Sequence, residues 1–89
     1  LLYLEHEGAR FIVGSKGGAA AHPLWFLNLL AEPAVHVRVD ADFFPAVAEV
    51  LPAAERARIW PVLTRRYEMF ADYQAHTTRE IPLIRLRRT

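Results

Sequence analysis

A chain of 89 residues is long enough for one domain and too short for two, and at this size only roughly 60–65% of the unfolded surface becomes buried. With 53% hydrophobic and 24% charged residues it reads as a folded globular domain, and its net charge of +1 offers no global field to draw in nucleic acid. It has no cysteine, which excludes a disulfide framework, a thiolate metal site and a cysteine nucleophile.

Leu1 to Glu5 is expected to form a strand and Arg10 to Gly14 a second. His6, Glu7 and Gly8 supply the turn between them, with Gly8 free to take positive φ. Ser15 to Ala21 is a Gly/Ala loop. Pro23 suits the first turn of a helix that carries Leu24, Trp25, Phe26, Leu27, Leu29 and Leu30 and stops at Pro33. Being apolar nearly all round, this helix is expected to be buried on more than one side. Ala34 to Asp40 alternates, with Val35, Val37 and Val39 on one face and His36, Arg38 and Asp40 on the other, as in a half-buried strand. Asp40-Ala41-Asp42 turns the chain into Phe43 to Leu51, an antiparallel partner in which Pro45 suggests an edge or a bulge.

Pro52 opens the next helix. Ala53, Ala57, Trp60, Leu63 and Tyr67 share a stripe, and Pro61 inside it predicts a kink. Phe70 to Ala75 continues as helix or turn. Ile81 to Arg87 is the last strand, with Ile81 and Leu83 on one face and Pro82, Ile84 and Leu86 on the other. Arg85, Arg87 and Arg88 read as its solvated end. The order β-β-α-β-β-α-β predicts an α+β fold whose mostly antiparallel sheet, with two helices, curls into a barrel.

Four segments could carry chemistry. Gly14-Ser15-Lys16-Gly17-Gly18 follows a strand and precedes a helix. Its glycines let backbone N–H groups converge on an anion, to which Ser15 adds a hydroxyl and Lys16 a charge. Such a loop also often only connects two elements. Trp25 and Asn28, three apart on the helix, could wall and orient a planar ligand, or be a core indole and a capping amide. Tyr67, Phe70 and Tyr73 make an aromatic edge that is either core or the lining of a cavity, and the two hydroxyls need partners. Gln74, Thr77, Thr78, Arg79 and Glu80 form a polar cluster consistent with an ordered loop. His6, His22, His36 and His76 have no metal-ligand spacing, so no metal is expected.

Together these segments resemble the deazaflavin-dependent nitroreductase family. Gly14-Ser15-Lys16-Gly17-Gly18-Ala19 and then His22-Pro23-Leu24-Trp25-Phe26-Leu27-Asn28-Leu29 are similar to its "SKGGAPxHPxWxxNL" stretch. Glu32-Pro33-Ala34-Val35-His36-Val37 fits its "NPxVxV". Glu55 to Pro61 fits "ERxRLWP", and Tyr73 to Pro82 fits "YQxxTxRxIPV". The matches run in order through nearly the whole chain. This chain departs from the family at Ala20 and Ala21, where the family has Pro and a basic residue, and at Phe70, where it has a middle tyrosine. The family also begins with a basic strand and loop, roughly "GRKSGKPRxxPL", and Leu1 falls just after it.

The resemblance implies a split β-barrel related to FMN-binding proteins: one domain over residues 1–89, lacking its N-terminal strand. It implies an oxidoreductase that takes a hydride from reduced coenzyme F-420, an 8-hydroxy-5-deazaflavin, and passes it to a quinone or nitro-aromatic acceptor. FMN is the alternative cofactor, and a flavin-binding module without turnover is the alternative function. By resemblance Ser15, Lys16, Gly17, Gly18, Trp25 and Asn28 bind the coenzyme, whose tail is a phosphodiester followed by glutamates, and Tyr67 and Tyr73 serve catalysis on the substrate side. A homodimer is expected, because a second copy would cover the open barrel edge. The expected location is cytoplasmic, with membrane association conceivable only through the preceding segment.

Overall fold

The computed structural model describes residues 2–89. Five strands form one antiparallel sheet in the order β1-β2-β5-β4-β3. They are β1 (Tyr3–His6), β2 (Ala9–Val13), β3 (Ala34–Val39), β4 (Asp42–Val50) and β5 (Leu83–Arg88). The helices are α1 (Leu24–Ala31), α2 (Ala53–Arg66) and α3 (Met69–Ala75), and a 3-10 turn covers Lys16–Gly18. The sequence expectation of a strand from Leu1 begins on a residue outside those described.

Both tight hairpins follow from local chemistry. His6 pairs with Ala9, so Glu7 and Gly8 alone make the first turn, at φ of 51° and 76°. Val39 pairs with Asp42, and Asp40 turns the chain at φ 55°. Positive φ at these positions matches the turn to the right-handed twist of the strands.

Alternation along the strands then separates two cores. Phe11, Val13 and Leu83 face α2 and α3, where they join Leu4, Leu51, Ile59, Leu63, Phe70 and Ile81. Ile12 and Ile84 face the other way and pack under Phe26 of α1, with Trp25, Leu29, Ala48 and Leu86 around them. The central strand β5 therefore feeds both layers, and Leu83 and Ile84 are each fully enclosed.

The expected α+β fold on an antiparallel sheet is present, and the sheet is not closed: β1 and β3 lie at its two edges. Other expectations are corrected. There are three helices, because the chain leaves helical geometry at Tyr67 (φ −135°, ψ 89°) before α3 begins. Helix α2 contains Pro61, as the sequence reading placed it. Its buried ridge is Ile59 and Leu63, flanked by Arg56 and Trp60, while Ala53 and Ala57 are exposed. The expected stripe was thus rotated, because a long cation takes a position on the inner face. Helix α1 buries one side only, and Leu24, Leu27 and Leu30 are exposed.

Pro45 lies on an internal strand, opposite His36. Its carbonyl accepts from the N–H of Thr89, so its ring nitrogen also faces β5, at the very end of that ladder. A missing donor there costs little, which is why no edge strand or bulge is needed. Arg87 and Arg88 are solvent-exposed, as expected of the strand end, and the three terminal arginines also make ion pairs: Arg85 with Glu55 (2.8 Å), Arg87 with Glu49 (3.1 Å) and Arg88 with Asp42 (3.1 Å).

Candidate coenzyme site

Strand β2 delivers the chain into the loop at the end of the sheet. Gly14 donates to the carbonyl of Pro82 (3.0 Å), and a Cβ on it would lie 2.7 Å from the Pro82 ring. Lys16, Gly17 and Gly18 then take φ of 46°, 61° and 81°. Three successive left-handed residues turn the chain sharply. Glycine tolerates this and Lys16 bears some strain.

The turn is closed by Gly18 N–H donating to Ser15 O (3.0 Å) and Ala19 N–H to Lys16 O (3.1 Å). Among the described residues, the N–H groups of Lys16 and Gly17 have no backbone acceptor, and both residues are exposed. Gly18 is pressed against α3, where a Cβ would stand 2.6 Å from the Tyr73 carbonyl oxygen.

A guanidinium lies beneath this turn. Arg79 donates to the carbonyls of Ser15 (2.6 Å), Ala19 (2.8 Å) and Gly14 (3.1 Å), and a fourth contact reaches His22 Nδ1 (3.0 Å). His22 in turn lies against Phe26 at the start of α1, with ring centroids 4.9 Å apart.

The segment carrying Arg79 is itself riveted. Gln74 Nε2 donates to Arg79 O (2.8 Å), while Gln74 Oε1 accepts from Ile81 N–H (2.9 Å) and from Arg56 (3.0 Å). Arg56 also donates to Ile81 O (2.9 Å) and stacks over Trp60 at 4.3 Å. Burial lowers the Arg56 pKa from its ordinary value and Glu80 acts in the opposite direction; as an arginine it stays a cation.

The residues expected to form the site divide among three places. Ser15, Lys16, Gly17 and Gly18 are together, with the backbone of Tyr73 beside them. Trp25 lies on the opposite face of the sheet from the Tyr67–Phe70–Tyr73 edge, half-buried. It lines a cleft of about 490 Å³ with Tyr3, Ile12, Leu29, Val37 and Leu86. Asn28 is exposed, and its side chain has no hydrogen bond among the described residues. Tyr67 and Tyr73 flank the buried Phe70 edge-on, with centroids 6.0 Å and 5.9 Å from its ring. The Tyr67 hydroxyl reaches the Tyr3 carbonyl at 3.4 Å, away from the loop.

Arg79, named in the sequence only as part of a polar cluster, and His22 turn out to belong to the loop. Arg79 reaches across some sixty positions of chain, which no local spacing encodes. The sequence signal was its place in the Tyr73 to Pro82 motif, which marks the residue without saying what it touches.

The loop is electropositive. Two cations, Lys16 above and Arg79 below, have no carboxylate in ion-pair contact among the described residues, so an anion there would meet uncompensated positive charge. A loop of this kind at the end of the sheet of an α+β domain is suited to hold an anionic group on backbone amides.

Comparison with known proteins places the domain in a family. A solved F420-H2 dependent reductase (FDR-A) superimposes with a TM-score of 0.86 at 34% identity, over 97% of this chain and 76% of the other. A second structure, described as a domain-swapped dimer, gives the same TM-score and identity over 97% of this chain and 65% of its own. The family model described as F420H(2)-dependent quinone reductase matches residues 1–87, and the chain belongs to that family of oxidoreductases. Two Mycobacterium tuberculosis relatives agree. Rv3178, assigned as an F420H(2)-dependent quinone reductase, is 38% identical over 98% of this chain and 73% of its own length. The F420H(2)-dependent quinone reductase Rv1261c is 33% identical over 99% of this chain. This chain spans 61% of the length of Rv1261c.

Proposed function

We propose that this chain binds reduced coenzyme F-420 at the 14–19 loop and passes its hydride to a quinone, with nitro-aromatics as a second acceptor class. One observation carries the reading: the turn at Lys16-Gly17-Gly18 leaves two N–H groups at an exposed point, and among the described residues no carboxylate pairs with the Lys16 ammonium. That is the chemistry a phosphodiester tail requires. FMN also ends in a phosphate, so the loop alone admits it; membership of the family favours the deazaflavin.

When bound, the coenzyme supplies the hydride chemistry. The chain's own part is to hold and orient. Ser15, Lys16, Gly17 and Gly18 take the tail in this reading, while Trp25 and Asn28, across the sheet from Tyr73, could meet the coenzyme only from the α1 side and not beside the acceptor. Tyr73, whose backbone abuts Gly18, orients the acceptor or relays a proton from its hydroxyl, and Tyr67 closes the far end of the same aromatic edge.

Two features support a split barrel and a homodimer. The opposite edge strands β1 and β3 both border the cleft beside Trp25, so the open sheet is already curled. Helix α1 has no charged residue from Leu24 to Ala31, and it exposes Leu24, Leu27 and Leu30 by 72%, 47% and 57%. An uncharged stripe can meet its own copy about a two-fold axis without charge repulsion, and the similar solved structure described as a domain-swapped dimer adds weight. The setting proposed is cytoplasmic, with which a cysteine-free chain is compatible. No helix among the described residues is long and apolar enough to cross a membrane.

The test is to mix the purified protein with reduced F-420 and a panel of quinones and nitro-aromatics, following the return of the oxidised coenzyme's absorbance. Turnover that depends on the acceptor supports the proposal. Tight binding without turnover would favour a coenzyme-holding module, a reading that gains from Tyr67 lying away from the loop with its hydroxyl on Tyr3.

A further inference from the structure

The hydrogen bonds of one side chain account for the shape of the loop. An isolated Gly-Gly turn has many conformations open to it, and each must be given up when a ligand is bound. In this protein the carbonyls of Gly14, Ser15 and Ala19 all point inward to Arg79. A carbonyl turned inward leaves the neighbouring N–H groups free to point elsewhere. The free ones, on Lys16 and Gly17, lie between the clamped carbonyls of Ser15 and Ala19. A guanidinium suits this task because its donors are fixed in one plane, while a lysine ammonium would satisfy fewer acceptors and with less defined direction.

Arg79 also differs from the six arginines that form ion pairs. Arg10, Arg56, Arg58, Arg85, Arg87 and Arg88 each have a carboxylate partner. Arg79 spends its donors on neutral oxygens and a histidine nitrogen, so its charge is left to act on whatever sits above the loop. The base of the clamp is held by Gln74, which is itself tied to Arg56 and Ile81.

Resting on the reading that this loop takes the coenzyme's acidic tail, we infer that Arg79 is a positioning residue for coenzyme binding. It fixes the carbonyls of the 14–19 loop from below, so that the Lys16 and Gly17 amides are already directed at the anion, and it lends that site a second positive charge. His22 completes the clamp through its Nδ1. Neither residue touches the reacting atoms.

The experiment compares the wild-type chain with Arg79→Ala and Arg79→Lys in two titrations, one with F-420 by fluorescence and one with inorganic phosphate by the amide shifts of Lys16 and Gly17. Arg79→Ala is expected to weaken coenzyme binding by roughly ten-fold or more, as when charge-assisted hydrogen bonds are removed, and to abolish the phosphate-induced shifts. Added ethylguanidinium should restore both, which a general loss of fold would not allow. Arg79→Lys keeps the charge without the fork and should recover only part of the affinity. Wild-type affinity in Arg79→Lys overturns the inference, and so does wild-type affinity in Arg79→Ala. If Arg79→Ala fails to fold, the lysine variant decides alone. Wild-type protein that binds phosphate at Lys16 and Gly17 but not F-420, with Arg79→Ala losing the phosphate shifts, would refute the coenzyme reading and leave the clamp in place. Wild-type protein that binds neither overturns both.

Discussion

Gly18 meets two demands at once, a left-handed backbone and a contact distance that leaves no room for a methyl group. Its neighbour Gly17 meets only the first, since a Cβ there would find open space. Gly18→Ala should therefore destabilise the fold by about 2–4 kcal/mol, combining backbone strain with displacement of the Tyr73 backbone, whereas Gly17→Ala should cost only about 1 kcal/mol. Urea denaturation of the two variants checks the ordering, and equal losses would contradict the close approach at Gly18. Tyr73 is argued from the same contact. With its backbone fixed against the loop, Tyr73→Phe removes only a hydroxyl, so it should lower kcat more than coenzyme affinity. Steady-state kinetics beside a binding titration measure the split, and an equal loss in both would remove Tyr73 from the acceptor side.

Among the elements, α2 separates what was legible in the sequence from what was not. Its start after Pro52 followed from local rules, but its end before Tyr67 and its buried ridge did not. Apolar spacing selected Ala53 and Ala57, yet the inner face also accepts Arg56, whose guanidinium is satisfied by Ile81 O, Gln74 and the Trp60 ring. Leu63→Ala is expected to cost about 2–5 kcal/mol, since Leu63 is wholly enclosed. Ala57→Ser on the exposed side should change stability by less than about 0.5 kcal/mol. Thermal melts of both variants test the orientation of the helix. The strands were readable for a simpler reason: period-two alternation at Val35, Val37 and Val39, and the turn residues Gly8 and Asp40, are local signals. Pro45 misled because its effect depends on where β5 ends, a fact of pairing and not of spacing. The candidate site was legible where it is contiguous, from Ser15 to Gly18, whereas Arg79 could be picked out only as part of a polar cluster, because its contact with that loop comes from the far end of the chain.

For the whole molecule, the sheet has a helix layer on each face, and α1 is the thinner cover. Its outward leucines leave an apolar stripe that a small domain rarely leaves without a partner. If two copies meet there, Leu27→Glu should shift the protein from dimer to monomer in analytical ultracentrifugation at unchanged secondary structure, while an unaltered mass would place the contact elsewhere. Such assembly is secondary to the central claim, that the loop at the end of the sheet receives the tail of F-420. The most direct measurement of that claim is a fluorescence titration of the purified chain with F-420, run beside FMN and repeated with Lys16→Ala. The account predicts saturable, salt-sensitive binding of F-420 in preference to FMN, weakened by roughly ten-fold in the variant as one charged contact is lost. Binding of F-420 that is indifferent to both salt and Lys16, or no binding at near-millimolar coenzyme, would contradict it.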